Sequence, residues 1–183
     1  MPLSPEAGER RAFVCACDRE AFDFEGMRTA MGADTKGSVE LLWQTRGEAT
    51  TAERDRLQLA AREPVVRTTR LRSLEGRALM YEMACLAIGR IPGLESEDVG
   101  NYDILELADS NGLVLGSTHE RATLTEAAAE EARQLGIPRR MPVLKLDRVI
   151  FSADGLAVEW RVGVCHLPAS AASERRRPAD VEC

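Results

Sequence analysis

Two pairs of strand-forming runs, each folded back across a glycine, constrain this chain more than any other feature of its sequence. Val65–Arg72 (VVRTTRLR) is strongly β-branched, Ser73–Arg77 around Gly76 reads as a tight connection, and Ala78–Ile88 (ALMYEMACLAI) returns. Pro142–Ser152 and Leu156–Leu167 repeat the arrangement around Asp154-Gly155, a dipeptide suited to the positive φ angles of a tight hairpin turn. A hairpin fixes its two strands as antiparallel. The chain therefore contains an antiparallel or mixed sheet, and a wholly parallel α/β architecture is excluded.

The remaining segments fit around those hairpins. Ser38–Arg46 (SVELLWQTR) is rich in strand formers, and Thr50-Thr51 offers N-caps for a short helix, AERDRLQLA, which Pro64 stops. Tyr102–Asn111 (YDILELADSN) is a one-sided helix closed by Gly112, and Leu113–Leu124 returns as a long strand. Thr123-Leu-Thr-Glu126 has capping-box spacing and leads into the helix TEAAAEEARQLG, which ends at Gly136 and Pro138. The expected order is β-α-ββ-α-β-α-ββ, an α+β fold with six strands in one mostly antiparallel sheet and three helices. Residues 1–25 read as an N-terminal arm, 26–167 as one domain, and 168–183 as a disordered tail without periodicity.

At 183 residues the chain is long enough for one sizeable core. Its net charge of −6 is the wrong sign for a protein that must neutralise phosphates, so the chain itself is expected to bind DNA poorly. No apolar run reaches the length of a membrane span and the first 30 residues lack a secretory pattern, which implies the cytoplasm. Five cysteines at 15, 17, 85, 165 and 183 form no CxxC pair, and the two histidines, His119 and His166, belong to no metal-binding cluster. The cysteines are expected to be reduced, with Cys85 and Cys165 in the core, and neither metal nor cofactor is expected.

A distributed pattern resembles a known family. Glu63-Pro-Val-Val-Arg-Thr-Thr-Arg-Leu-Arg72, then Glu75-Gly76 and Glu82, Gln134-Leu-Gly136, Pro142-Val-Leu144, and Asp154-Gly155 through Val158-Glu159 fall in the order and spacing of the UTRA domain. That domain is the effector-binding half of HutC-like GntR-family bacterial transcription regulators. The resemblance implies a chorismate lyase-like fold, a homodimer, a small-molecule effector and no catalysis. In such regulators a winged helix-turn-helix precedes the domain, and Gly8–Val14 looks like the tail of its wing. On this reading the chain lacks most of the DNA-binding half, and DNA would be reached only through a winged helix. Alternatively, Phe13-Val14 is merely a short apolar patch on the arm. A truncated regulator, a misplaced start and a stand-alone sensor all fit the sequence.

Strand alternation places Val66, Thr68, Arg70 and Arg72 on one face. With Ser73–Arg77 as a five-residue loop, Arg72 faces Ala78, Arg70 faces Met80 and Thr68 faces Glu82, so Glu82 joins the arginine face. In the resembled family the two arginines and the glutamate ten residues later line the effector pocket, here Arg70, Arg72 and Glu82. A guanidinium holds a carboxylate or phosphate through two parallel hydrogen bonds, which makes a small anionic metabolite the expected ligand. The competing reading makes the two arginines the solvated face of an edge strand. Leu113, Leu115, Ser117, His119 and Arg121 would share a face whose polar end adds His119 and Arg121 to the pocket. Glu159, with Arg161 and Gly163, opposes Val158, Trp160, Val162 and Val164, and Glu159 matches a pocket glutamate of the family.

Two departures from the family stand out: Arg77-Ala78 follows the hairpin glycine where proline is common, and the aromatic often found a few residues beyond Glu159 is absent, with Cys165-His166 nearby. The second removes a contact from which a sugar-type effector might be inferred. Two further functional readings remain: a chorismate lyase-like enzyme using an arginine with Glu82 or Glu159, and a ligand-free dimerisation partner of a full-length regulator.

Overall fold

Both expected hairpins form, and they meet at the middle of one antiparallel sheet. A computed structural model of the chain describes residues 13–15, 37–74, 76–94 and 99–166. The elements run β1 (Phe13–Cys15), β2 (Gly37–Glu48), α1 (Thr51–Leu57), β3 (Pro64–Leu74), β4 (Arg77–Ala87), a 3-10 turn (Ile88–Arg90), α2 (Ile104–Ser110), β5 (Leu115–Glu126), α3 (Ala129–Leu135), β6 (Pro142–Ser152) and β7 (Ala157–Cys165). From β2 onward this is the order read from the sequence. The sheet order is β1-β5-β6-β7-β4-β3-β2, and every described pairing is antiparallel. Of the expected arm, Phe13–Cys15 pairs with β5 at Ala122, Arg121 and Glu120. The rest of the Gly8–Val14 segment and the expected tail lie outside the described residues.

Local chemistry sets the helix ends. Thr50 caps α1 through a full capping box: its hydroxyl accepts from the Glu53 amide, and the Glu53 carboxylate accepts from the Thr50 amide at 2.7 Å. The helix stops at Leu57, well before Pro64, because Gln58 turns left-handed at φ 53° and the side chain of Arg90 takes the carbonyls of Leu57 and Gln58. Gly136 ends α3 at φ 65°, as its position predicts. The capping box expected at Thr123–Glu126 does not exist. Those residues extend β5, where they pair with Pro142–Lys145 of β6. The start of α3 falls instead at Ala128, whose amide donates to Glu131 at 2.7 Å but whose side chain has no oxygen to reciprocate. Strand pairing outcompeted the local cap.

The sheet's two faces are covered differently. On the outer face α1 and the turn after it bury Leu57 and Leu59 against Val65, Cys85 and Val149, and α3 buries Ala132 and Leu135 against Tyr81, Val143 and Val164. Each fully buried leucine contributes about 1.5–3 kcal/mol. On the other face the β4-to-β5 connection must cross β7 and β6, since β4 and β5 are separated by both. That crossing carries α2 over the sheet, where Ile104 joins Val66, Leu86, Ile150 and Val158 in the largest apolar cluster. Between α2 and the charged part of the sheet lies a cavity of about 510 Å³. No helix of the described residues is long and apolar enough to cross a membrane.

Candidate functional site

Three strands supply a charged cluster at and beneath the floor of that cavity. Arg70 and Arg72 come from β3, Glu82 from β4, and Glu159 and Arg161 from β7. The β3-β4 register differs by two residues from the five-residue loop reading. Leu74 pairs with Arg77, leaving only residues 75 and 76 between the strands, and Arg70 stands opposite Glu82 and Arg72 opposite Met80. A slip of two preserves side-chain parity, so Glu82 keeps the arginine face while moving directly across from Arg70. β3 is also flanked by β2 and β4, so it is no edge strand.

Glu82, 1% exposed, is the hub. Its Oε1 lies 2.6 Å from Nε of Arg70, its Oε2 accepts from Nε of Arg72 at 2.9 Å, and an Arg161 nitrogen stands 3.8 Å away. Burial by itself would raise this carboxyl, but Arg161, Arg70 and Arg72 outweigh it and hold the group at about 2. Glu82 is therefore ionised at any physiological pH.

Arg70 is wholly enclosed. One terminal nitrogen donates to the carbonyl of Tyr102 at 2.7 Å, and the guanidinium sits 4.3 Å from the centre of that residue's ring. The Tyr102 hydroxyl donates to Glu159, which also accepts from Arg161 at 2.6 Å. Burial first, and then the neighbouring Glu159 charge, push the Tyr102 phenol far above its ordinary range, so it remains a donor. Burial works against the charge of Arg161, yet Glu159 and Glu82 hold it protonated well above the usual arginine range. Tyr102 thus fastens the start of α2, the cavity's roof, to the buried charges of its floor. A second pair borders the cavity, with Arg148 of β6 donating to Glu120 of β5 at 2.6 Å.

The structure brings Arg70, Arg72, Glu82 and Glu159 together, but only Arg72 and Glu82 of these four reach the cavity surface. Arg70 and Glu159 lie beneath it. His119 and Arg121 are placed on the opposite, outer face and are exposed, with the His119 ring 4.8 Å from that of Phe151 and tilted to it by 56°. The cause is one extra residue in β5. Leu115 pairs with Ser152 and Thr118 with Ile150, so three steps on β5 match two on β6 and the alternation inverts. Thr118 and Glu120 inherit the cavity face expected for Ser117 and His119. Gly116 makes the bulge possible, because a Cβ there would meet the Ser152 carbonyl oxygen at 2.7 Å. Sequence reasoning passed over Arg161 as a site residue although it alternates with Glu159. It gave no indication of Tyr102, Glu120 or Arg148 as part of the site.

An open antiparallel sheet with one helix-roofed cavity, floored by a buried lattice of arginines and glutamates, defines a ligand-binding domain. Among the described residues no three metal-ligating side chains gather. The model of the UTRA domain family matches residues 33–169, and the chain belongs to that family. Its fold is shared with effector and ligand-binding domains of GntR-family regulators. Among solved structures it is similar to the effector domain of PhnF from Mycobacterium smegmatis, with a TM-score of 0.69 and 22% identity, covering 79% of this chain and 88% of that one. Against the PhnF structure that extends beyond this domain, the TM-score is 0.70 and identity 22%, and the match covers 81% of this chain and 65% of that one. A GntR-family transcriptional regulator from Enterococcus faecalis V583 gives a TM-score of 0.64 at 19% identity, covering 70% and 92%. A search of curated protein sequences gave no significant match.

Proposed function

We propose that this domain senses a small anionic metabolite in the cavity beneath α2, with Arg72, Glu82 and Arg161 presenting the recognition surface and Arg70 and Glu159 holding it rigid. The observation that supports this most directly is the arginine-rich floor opening into a cavity of about 510 Å³, within the size range of small-molecule sites. The two buried residues support the site indirectly: Arg70 fixes Glu82 and Tyr102, and Glu159 fixes Arg161 and Tyr102. Because Tyr102 leads straight into α2, a ligand that draws on Arg161 also biases the position of the roof, which gives occupancy a route to the rest of a regulator. The domain works as a homodimer in the cytoplasm. DNA is contacted through a winged helix and not by this acidic domain.

A thermal-shift screen of carboxylates, phosphonates and sugar phosphates tests the reading. A ligand at about 100 times its Kd stabilises the native state by about 2.7 kcal/mol, which for a domain of this size raises Tm by roughly 5–10 °C. Arg72→Ala should abolish the shift. If no small anion moves Tm, the sensor reading fails. Sedimentation of the purified chain as a monomer at micromolar concentration would refute the homodimer.

A further inference from the structure

We infer that the core beneath α2 holds an internal water molecule, enclosed over Ala84 and bound by Thr68, Arg70, Glu159 and Arg161. This is a binding site separate from the cavity.

Strand register sets its place. Ala84 of β4 stands opposite Thr68 of β3 on one side and Arg161 of β7 on the other; in the adjacent rows Arg70 pairs with Glu82 and Glu159 with Leu86. Ala84, Thr68, Arg70, Glu82, Glu159 and Arg161 all share the face that α2 covers. Ala84 is buried, and it puts only a methyl group at the centre of a circle of longer polar side chains. Tyr102 closes the circle from above. The centre of its ring is 4.3 Å from the guanidinium of Arg70 and 5.9 Å from that of Arg161, and its hydroxyl donates to Glu159.

Four atoms of this circle are buried without a hydrogen-bond partner among the described residues: Oγ1 of Thr68, Nη2 of Arg70, Oε2 of Glu159 and Nε of Arg161. Such groups are costly to leave unpaired in a core. Their neighbours are already committed, because Arg70 serves Glu82 and the Tyr102 carbonyl while the other oxygen of Glu159 serves Tyr102 and Arg161. The chemistry of the four specifies what completes them. Two are N–H donors, one is a carboxylate oxygen that only accepts, and the hydroxyl does either. A water molecule accepts from Arg70 and Arg161 and donates to Glu159 and Thr68, within the two to four hydrogen bonds that buried waters make. An effector cannot take its place, since of these four residues only Arg161 lines the cavity.

This water closes a loop. Arg70 holds the carbonyl of Tyr102, Glu159 holds its hydroxyl, and the water joins Arg70 to Glu159. Both ends of Tyr102 are then fastened by one continuous network, and a displacement of Arg161 at the cavity surface reaches Arg70 through the water.

Two variants of the full chain test the site without any added ligand. Thr68→Val keeps the shape and removes the hydroxyl; Ala84→Val adds two methyl groups to the enclosed space. Oxygen-17 relaxation dispersion of the solvent counts long-lived internal waters and does not register exchanging hydroxyl protons. Ala84→Val should evict the water, lowering the dispersion amplitude by the share of one molecule and lowering Tm. Thr68→Val takes one hydrogen bond from the water and should lower Tm by about 2–5 °C. Were the space dry, the Thr68 hydroxyl would be a buried polar group with no partner, and replacing it by a methyl group would raise Tm. A Tm for Thr68→Val at or above that of wild type, or a dispersion amplitude that Ala84→Val leaves unchanged, would overturn the inference. Should Ala84→Val not fold, the sign of the Thr68→Val shift decides.

Discussion

Replacing Glu82 by glutamine tests the central claim that one buried carboxylate organises the arginine floor. The substitution keeps the shape and removes the charge that stands 2.6 Å from Arg70, 2.9 Å from Arg72 and 3.8 Å from Arg161. A carboxyl held at about 2 in the folded state, against its ordinary 4.5, corresponds to about 3 kcal/mol of stability at neutral pH. Removing one partner from a buried ion pair costs about 3–5 kcal/mol, the same order. Urea denaturation at pH 7 should show Glu82→Gln less stable by about 3 kcal/mol. With a slope near 2 kcal/mol per molar urea, its midpoint falls by about 1.5 M. The pH dependence supplies the sharper check. Because the folded pKa is depressed, the contribution is fully present above 4.5 and is lost as pH falls from there towards 2. The wild-type advantage should therefore stay constant from pH 7 to about 5 and narrow steadily below 4.5. Glu53, held at about 2 chiefly by its hydrogen bond with Arg67, titrates over the same range in both proteins and cancels in the difference. A variant within about 0.5 kcal/mol of wild type at pH 7, or a gap that persists unchanged to pH 3, would refute the assignment.

Tyr102→Phe removes the donor that reaches buried Glu159 and should cost about 1–3 kcal/mol, seen as a Tm lowered by several degrees. An unchanged Tm would mean that the hydroxyl does not anchor α2. Burial pushes the thiols of Cys85 and Cys165 up to about 12, so native protein at pH 8 should leave both unlabelled by iodoacetamide, with peptide mass spectrometry showing modification only after denaturation. Labelling of either within minutes in native buffer would contradict their burial.

The features that were legible in the sequence are those that neighbouring residues decide. Asp154-Gly155 gave the β6-β7 hairpin, Thr50 the start of α1, and Gly136 the end of α3. Pairing register was not legible, because it depends on bulges that no local signal fixes. The extra residues opposite Arg72-Ser73 and within Leu115–Thr118 are visible only once two strands lie side by side. The first combined with a shorter turn into a slip of two, which kept Glu82 on the arginine face; the second acted alone, inverted the alternation and exchanged His119 for Glu120.

Alternation along single strands by itself determined an antiparallel α+β sheet and an arginine face on β3, since both follow from a period of two and from hairpin turns. The tertiary structure alone decided which of those arginines is enclosed and which reaches the cavity. Arg70 is enclosed because the crossing from β4 to β5 lays Tyr102 over it, while Arg72, one alternation further along, lies on the cavity floor. That difference comes from where a distant segment packs, and the alternation of β3 treats the two arginines alike.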